Sequence, residues 1–80
     1  MLSKLTEREK EILNYIIKGF TNKQIGETLH LSSHTIKIYV ENILYKFNVK
    51  NRLQAAIIGI KSLHGIEELN EFNKQVENIV

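Results

Sequence analysis

The sequence predicts an all-α domain of four helices, with a fifth amphipathic helix at the C-terminal end. The 80 residues include no proline and only four glycines, a composition that favours helices joined by short turns. Apolar residues recur at intervals of three and four along successive stretches, which is the helical period. Ser, Thr or Asn stands just before each of the first four stretches, where its side chain can cap a helix. A single domain of this size buries roughly 60–65% of its unfolded surface, so we expect modest stability.

The first helix is predicted at residues 7–18. Thr6 and Glu9 have the spacing of a capping box, in which each side chain bonds the backbone N–H of the other residue. Gly19 is placed to end the helix in the left-handed conformation. We expect Arg8 to pair with Glu9 and brace the helix. The inward stripe consists of Ile12, Leu13, Ile16, Ile17 and Phe20.

A short second helix is predicted over residues 22–29, with Thr21 or Asn22 as the N-cap and with Ile25 and Leu29 facing inward. Gly26 in a helix interior costs about 1 kcal/mol relative to alanine, so we expect a neighbouring helix to approach closely there. The third helix begins only a few residues later, and the connection through His30 and Leu31 must therefore be a tight turn.

A longer third helix is predicted over residues 33–47, with Ser32 as its N-cap and Asn48 as its left-handed end. Its core stripe is Ile36, Val40, Ile43, Leu44 and Phe47. Its opposite face carries Ser33, His34, Lys37, Ile38, Glu41, Asn42 and Tyr45. A short helix, a tight turn and a longer helix with a polar outer face are typical of the helix-turn-helix unit.

Charge is distributed unevenly along the chain. The net charge is +2, but residues 31–65 carry five basic groups against one acidic group, and residues 66–80 carry four acidic groups against one basic group. The basic part begins at the third helix and continues through the predicted fourth helix, as expected of a surface that meets phosphate. A solvated basic surface without a partner is the alternative. Since the major groove of DNA admits one α-helix, the pattern favours double-stranded DNA as the partner.

The fourth helix is predicted over residues 52–62, after a capping-box-like start at residues 51–54. After a break at residues 62–65, apolar residues recur at helical spacing to the C-terminus and predict the fifth helix. We therefore divide the chain into a helix-turn-helix domain at residues 1–65 and an amphipathic extension at residues 66–80. The acidic extension is expected to face away from nucleic acid.

A family pattern covers residues 5–60 in five segments. These are Leu5-Thr6-x-Arg8-Glu9-x-Glu11-Ile12-Leu13, Gly19 with Asn22-Lys23-Gln24-Ile25, Leu29-x-Leu31-Ser32-x-x-Thr35-Ile36-Lys37, Val40-x-Asn42-Ile43-x-x-Lys46, and Val49-x-Asn51-Arg52-x-x-Ala55. They resemble the LuxR-type (FixJ/GerE-type) helix-turn-helix domain of bacterial transcription regulators. The chain departs from that pattern at Tyr39, where the family often has His, at Glu41, where a basic or polar residue is frequent, and in the extension. The first two departures could change which bases are read.

The resemblance implies a four-helix domain that binds inverted-repeat DNA sites as a homodimer, in the cytoplasm and nucleoid of a bacterium. The third helix would read bases in the major groove, with Lys37, Ile38, Glu41 and His34 as the candidates. The candidates for phosphate contact or for bracing the unit are Ser33, Thr35, Asn22, Lys23, Lys46 and Arg52. The fourth helix would supply the dimer contact through Leu53, Ala56, Ile57 and Ile60, and the fifth helix could add to it. RNA polymerase is a further candidate partner.

The base-reading residues have specific chemistry. Lys37 can donate to guanine O6 and N7, Glu41 can accept from cytosine N4, and Ile38 can pack on a thymine methyl group. The alternatives are an exposed Lys37–Glu41 pair worth a few tenths of a kcal/mol and an exposed isoleucine without a role. Thr35 and Ser33 could donate to phosphate at the helix N-terminus or act only as capping groups.

Several function classes are not expected. The chain has no cysteine, which excludes disulfides and thiolate metal sites. Glu27, His30 and His34 have a spacing that suggests a metal site, but the two histidines lie on either side of the turn, so we expect no metal and no other cofactor. No nucleophile–base arrangement points to an enzyme. No apolar run is long enough for a membrane span, and the N-terminus lacks a signal-peptide core.

Two alternatives stay open. A sigma-factor region-4-like domain shares the Leu-Thr-x-Arg-Glu opening, although a fourth helix after Val49-Lys50-Asn51-Arg52 favours the LuxR type. A protein-interaction module would instead use the extension as a docking face, anchored by Phe72, Val76 and Ile79; intramolecular packing or homodimerisation of these residues is preferred. A chain of 80 residues that opens with Met is expected to be a short stand-alone regulator or an excised domain.

Overall fold

The computed structural model describes residues 4–64, which form four α-helices. In chain order these are α1 (Glu7–Ile17), α2 (Asn22–Leu29), α3 (Ser33–Phe47) and α4 (Arg52–His64). The described residues contain no strand, so the predicted all-α class is confirmed. Each of the first four predicted helices is present, and its bounds differ from the prediction by at most two residues. The predicted fifth helix at residues 66–80 lies outside the described residues.

Threonine caps start α1 and α2. The backbone N–H of Glu9 donates to Thr6 Oγ1 (3.1 Å), and the Thr6 N–H donates to Glu9 Oε1 (2.8 Å), which completes the predicted capping box. Thr21 and Gln24 form a second box with the same two distances. Thr21 is therefore the N-cap of α2, and Asn22 is its first helical residue.

The starts of α3 and α4 also depend on local side-chain hydrogen bonds. Ser32 Oγ accepts from the backbone N–H of Thr35 (3.0 Å), as predicted for the N-cap of α3. Before α4, Asn51 Oδ1 accepts from the Gln54 N–H, but Gln54 Oε1 accepts from the N–H of Lys50 rather than from Asn51. The start of α4 is thus a shifted form of the predicted capping box.

Left-handed residues end the first three helices. Gly19 (φ 87°) follows α1 and Asn48 (φ 56°) follows α3, both as predicted. His30 (φ 59°) ends α2 in the same conformation, for which the sequence carried no clear signal. Histidine is one of the few non-glycine residues enriched in this region. The left-handed His30 reverses the chain direction, so that the Leu31 N–H donates to Gly26 O (2.8 Å). α3 then begins at Ser33.

The same turn explains Gly26. A side-chain carbon at this position would collide with the backbone carbonyl oxygen of Leu31. The expectation of a neighbouring helix at Gly26 was therefore wrong: the close neighbour is the backbone of the α2–α3 turn. Glycine is needed there because the left-handed His30 brings that carbonyl over the last turn of α2.

One core joins the four helices. α2 packs on α3, α1 packs on α3 and α4, and α3 packs on α4. The predicted inward stripes are confirmed, although Ile17, Phe20, Leu29 and Leu44 are only partly buried. The buried apolar residues are Leu5, Ile12, Leu13, Ile16, Ile25, Ile36, Val40, Ile43, Phe47, Ala55, Ala56 and Ile60.

Candidate nucleic-acid interface

The two faces of α3 have opposite environments. Ile36, Val40, Ile43 and Phe47 are at most 7% exposed and hold the helix against the core. The outer face of α3 is fully on the surface and consists of Ser33, His34, Lys37, Ile38, Glu41, Asn42 and Tyr45. α3 is thus fixed along one side and presents the other to solvent. This is the arrangement that the sequence predicted.

The four candidate base-reading residues lie together on this outer face. His34, Lys37, Ile38 and Glu41 are all exposed and occupy two consecutive turns at the N-terminal half of α3. The ion pairs found within residues 4–64 do not include one between Lys37 and Glu41. Both charges therefore remain available to an external partner.

The N-terminus of α3 presents hydroxyl groups beside free backbone N–H groups. Ser32 Oγ accepts from the Thr35 N–H and donates its own proton to Thr35 Oγ1 (2.9 Å). The Thr35 hydroxyl, as an acceptor in that bond, keeps its own proton to donate elsewhere. Ser33 is exposed in the same turn. Hydroxyl donors at the positive end of a helix suit an anion such as phosphate.

Lys46 has an intramolecular partner that its position in the sequence did not predict. Its Nζ donates to Glu9 Oε1 (2.7 Å), which ties the end of α3 to the start of α1. The Glu9 side chain is only 5% exposed and that of Lys46 is 31% exposed. The predicted Arg8–Glu9 pair was wrong, because Arg8 pairs with Glu11 (3.1 Å) on the exposed side of α1.

The pKa of Glu9 shows how these groups balance. Burial by itself would raise the pKa of this carboxyl group. The hydrogen bond from Lys46 and the hydrogen bond from the Thr6 N–H oppose this effect, with smaller contributions from the charge of Lys46 and the Thr6 hydroxyl. Their sum lowers the pKa of Glu9 below its ordinary value, so the Glu9 carboxyl group is ionised at neutral pH.

Arg52 and Asn22 form a second brace. Arg52 Nη1 donates to Asn22 Oδ1 (2.8 Å), and Nη2 donates to the backbone carbonyl of Phe20 (2.9 Å). Both side chains are half-buried, and they join the start of α4 to the start of α2. Lys23, the next residue on α2, is exposed. Among the candidates for phosphate contact or bracing, Lys46, Arg52 and Asn22 therefore brace the unit, which is one of the two roles that the sequence left open.

The structure separates the four candidate dimer residues by burial. Leu53 is 58% exposed, Ile57 is half-buried, and Ala56 and Ile60 are each 8% exposed. Leu53, Ala56 and Ile60 line a shallow, mainly apolar groove of about 300 Å³ between α1 and α4, together with Ile16, Ile17, Gly19, Phe20 and Arg52. The exposed apolar surface that the prediction requires is therefore concentrated at Leu53.

Within residues 4–64, no three or more His, Cys, Asp or Glu side chains come together in a way that could hold a metal ion. Glu27, His30 and His34 are each exposed. None of the helices in the same range has the length and apolar content needed to cross a membrane.

Similarity to known proteins decides the family to which this four-helix unit belongs. Residues 3–58 match the family described as bacterial regulatory proteins, luxR family. The chain belongs to this family. The match covers all of α1, α2 and α3 and the first half of α4, and it confirms the resemblance drawn from the sequence. DNA-binding regulation of transcription is the general function of luxR-family helix-turn-helix domains.

Individual relatives of this luxR-family domain are regulators by name. The transcriptional regulatory protein DegU of Brevibacillus brevis is 47% identical over 58 residues, which are 72% of this chain and 25% of DegU. The nitrate/nitrite response regulator protein NarP of Escherichia coli is 43% identical over 56 residues, 70% of this chain and 26% of NarP. The transcriptional regulatory protein LiaR of Bacillus subtilis is 51% identical over 53 residues, 66% of this chain and 25% of LiaR. The chain thus spans about a quarter of the length of these relatives.

Proposed function

We propose that this chain is a sequence-specific, double-stranded DNA-binding transcriptional regulator that inserts α3 into the major groove. The observation that carries the proposal is the outer face of α3, which is exposed over its whole length while the opposite face is fixed in the core. A helix held in this way can enter a groove without unfolding the domain. The proposal assigns no catalytic step and no cofactor to the chain, and it puts the protein on chromosomal DNA in the bacterial cytoplasm.

In this proposal the N-terminal half of α3 reads base edges. Lys37 donates to guanine and Glu41 accepts from cytosine N4, while Ile38 packs on a thymine methyl group and His34 lies one turn before them. The exposure of all four side chains supports these roles. A carboxylate so close to DNA is tolerated only opposite a base donor, so Glu41 should restrict the sequence more than it contributes to affinity.

Phosphate contacts then fix the position of α3 in the groove. Ser33 and Thr35 donate at the N-terminus of α3, and Lys23 lies exposed at the start of α2. Asn22 has its oxygen occupied by Arg52, which leaves the amide N–H groups to donate. The ammonium group of Lys46 has two donors left after the bond to Glu9, so it can bridge the carboxylate and a phosphate.

Two copies of the domain would bind one inverted repeat, about one DNA turn apart. α4 supplies the contact between them, with Leu53 as the main exposed apolar group and Ala56, Ile57 and Ile60 behind it. Residues 66–80 would extend this contact. RNA polymerase is a second protein partner under this proposal, as expected of a regulator bound beside a promoter.

The test is selection of bound sites from random duplex DNA, followed by measurement of the binding stoichiometry on the enriched site. The proposal expects an enriched sequence with two-fold symmetry and two chains per site. Absence of any enrichment, together with no binding to duplexes at low ionic strength, would refute it. Binding of a single chain to an asymmetric site would refute only the dimer.

A further inference from the structure

We propose that Tyr45 donates a hydrogen bond from its phenolic hydroxyl to a backbone phosphate at the wall of the groove that α3 enters. This inference rests on the proposed DNA-binding function and adds a contact at the C-terminal half of α3. It would extend the DNA-contacting part of the outer face of α3 from its first half into its second half.

The exposure of Tyr45 is the first observation. Its residue surface is 85% exposed, more than that of Ile38 (47%) or Leu53 (58%), the other large apolar residues exposed among those described. By contrast, Tyr15 and Tyr39 are half-buried and pack against the core. The side-chain hydrogen bonds found within residues 4–64 do not involve the Tyr45 hydroxyl. The ring therefore contributes little to folding and has an unused polar end.

The position of Tyr45 on α3 is the second observation. It lies four residues after Glu41 and eight after Lys37, so all three share one face of the helix. At 1.5 Å of rise per residue, Tyr45 is about 12 Å along the axis from Lys37. Recognition helices that contact base edges with their N-terminal residues can contact the DNA backbone with their C-terminal end, as in the homeodomain. When Lys37 is at the base edges, Tyr45 is therefore placed to reach the sugar–phosphate backbone.

The chemistry of tyrosine suits that position. A phenol is a neutral donor that bonds phosphate oxygens in protein–DNA complexes. Glu41, one turn earlier, cannot approach a phosphate without repulsion, whereas a hydroxyl donor meets no such repulsion. Its neighbour Lys46 has one donor bound to Glu9 on α1, so the Tyr45 hydroxyl would add a second phosphate donor at the end of α3.

The experiment measures the affinity of the full chain for its selected duplex and for a random duplex, at several salt concentrations. Tyr45→Phe removes only the hydroxyl, and Tyr15→Phe makes the same change on α1 as the matched control. We expect Tyr45→Phe to weaken binding to both duplexes about tenfold to a hundredfold, the value of one hydrogen bond to a charged group. The dependence on salt should not change, because a neutral donor releases no counterions. Tyr15→Phe should leave affinity unchanged, and both variants should keep the wild-type melting temperature.

Four outcomes would overturn the inference. Unchanged affinity in Tyr45→Phe, while the wild type binds, removes the hydroxyl contact and leaves the DNA-binding proposal intact. A loss confined to the selected duplex would make Tyr45 a base-reading residue. A loss in Tyr45→Ala but not in Tyr45→Phe would assign the contact to the ring. A change in stoichiometry would place Tyr45 between protein chains. If the wild type binds neither duplex, the proposed function fails first.

Discussion

Replacing Lys46 by methionine removes an ammonium group from a carboxylate that is almost completely buried. The Glu9 side chain is 5% exposed and would keep its bond from the Thr6 N–H but lose the 2.7 Å bond from Lys46. Removing one partner of a buried ion pair costs about 3–5 kcal/mol when both groups are fully buried. Since Lys46 is 31% exposed and water can reach the site, we expect Lys46→Met to lower the free energy of unfolding by about 2–3 kcal/mol.

This loss should be easy to measure in so small a domain. It corresponds to a fall in melting temperature of roughly 10–20 °C, observable by circular dichroism or calorimetry. Lys61→Met makes the same charge change at an exposed position of α4 and should stay within about 0.5 kcal/mol of the wild type. Adding Glu9→Gln to Lys46→Met should restore part of the stability, because a neutral amide tolerates burial better than an unpaired carboxylate.

The free energy of unfolding should depend on pH differently in the wild type and in Lys46→Met. In the wild type the pKa of Glu9 is lowered in the folded state, so its contribution to stability is present at neutral pH. That contribution begins to fall when the pH drops below roughly 4.3, the ordinary pKa of glutamate in an unfolded chain. It is lost once the pH has also passed below the lowered pKa that Glu9 has in the folded protein. In Lys46→Met, burial of Glu9 is opposed by fewer hydrogen bonds, so the pKa of Glu9 in the folded protein should rise above its ordinary value. The free energy of unfolding of this variant should then increase as the pH falls from 7 toward 5. If Lys46→Met matches Lys61→Met at every pH, the ion pair does not brace the fold.

Three further predictions concern the reading helix, the dimer contact and the turn. Lys37→Ala should relax sequence preference by about 1–3 kcal/mol at one base pair, measured on single-base variants of the selected duplex; an equal loss on random DNA would contradict base reading. Leu53→Glu should abolish the second bound chain in a stoichiometry titration without lowering the melting temperature, since Leu53 is 58% exposed; a retained dimer would exclude the α4 contact. Gly26→Ala gains about 1 kcal/mol of helix propensity, but the new methyl group collides with the Leu31 carbonyl oxygen. Chemical denaturation should therefore show that the free energy of unfolding falls by at least about 1 kcal/mol. A protein stabilised by Gly26→Ala would refute the steric explanation.

Much of the site could be predicted because α3 is a strongly periodic helix with a clear cap. Ser32 and the stripe from Ile36 to Phe47 determine which residues face outward, and the structure places His34, Lys37, Ile38 and Glu41 there. The burial of Ala56 and Ile60 could not be read in the same way. α4 is apolar on more than one side, so its sequence does not reveal which side α1 covers.

Local sequence signals alone were enough to specify the four helices, most of their caps and the two faces of α3. Such signals act between residues three or four positions apart, so they can be read along the chain without knowing the fold. The packing of the helices was needed to show that Lys46 meets Glu9, 37 residues away, and that Arg52 meets Asn22, 30 residues away. These partners depend on how the helices come together, and an exposed lysine and a bracing lysine look the same in a sequence.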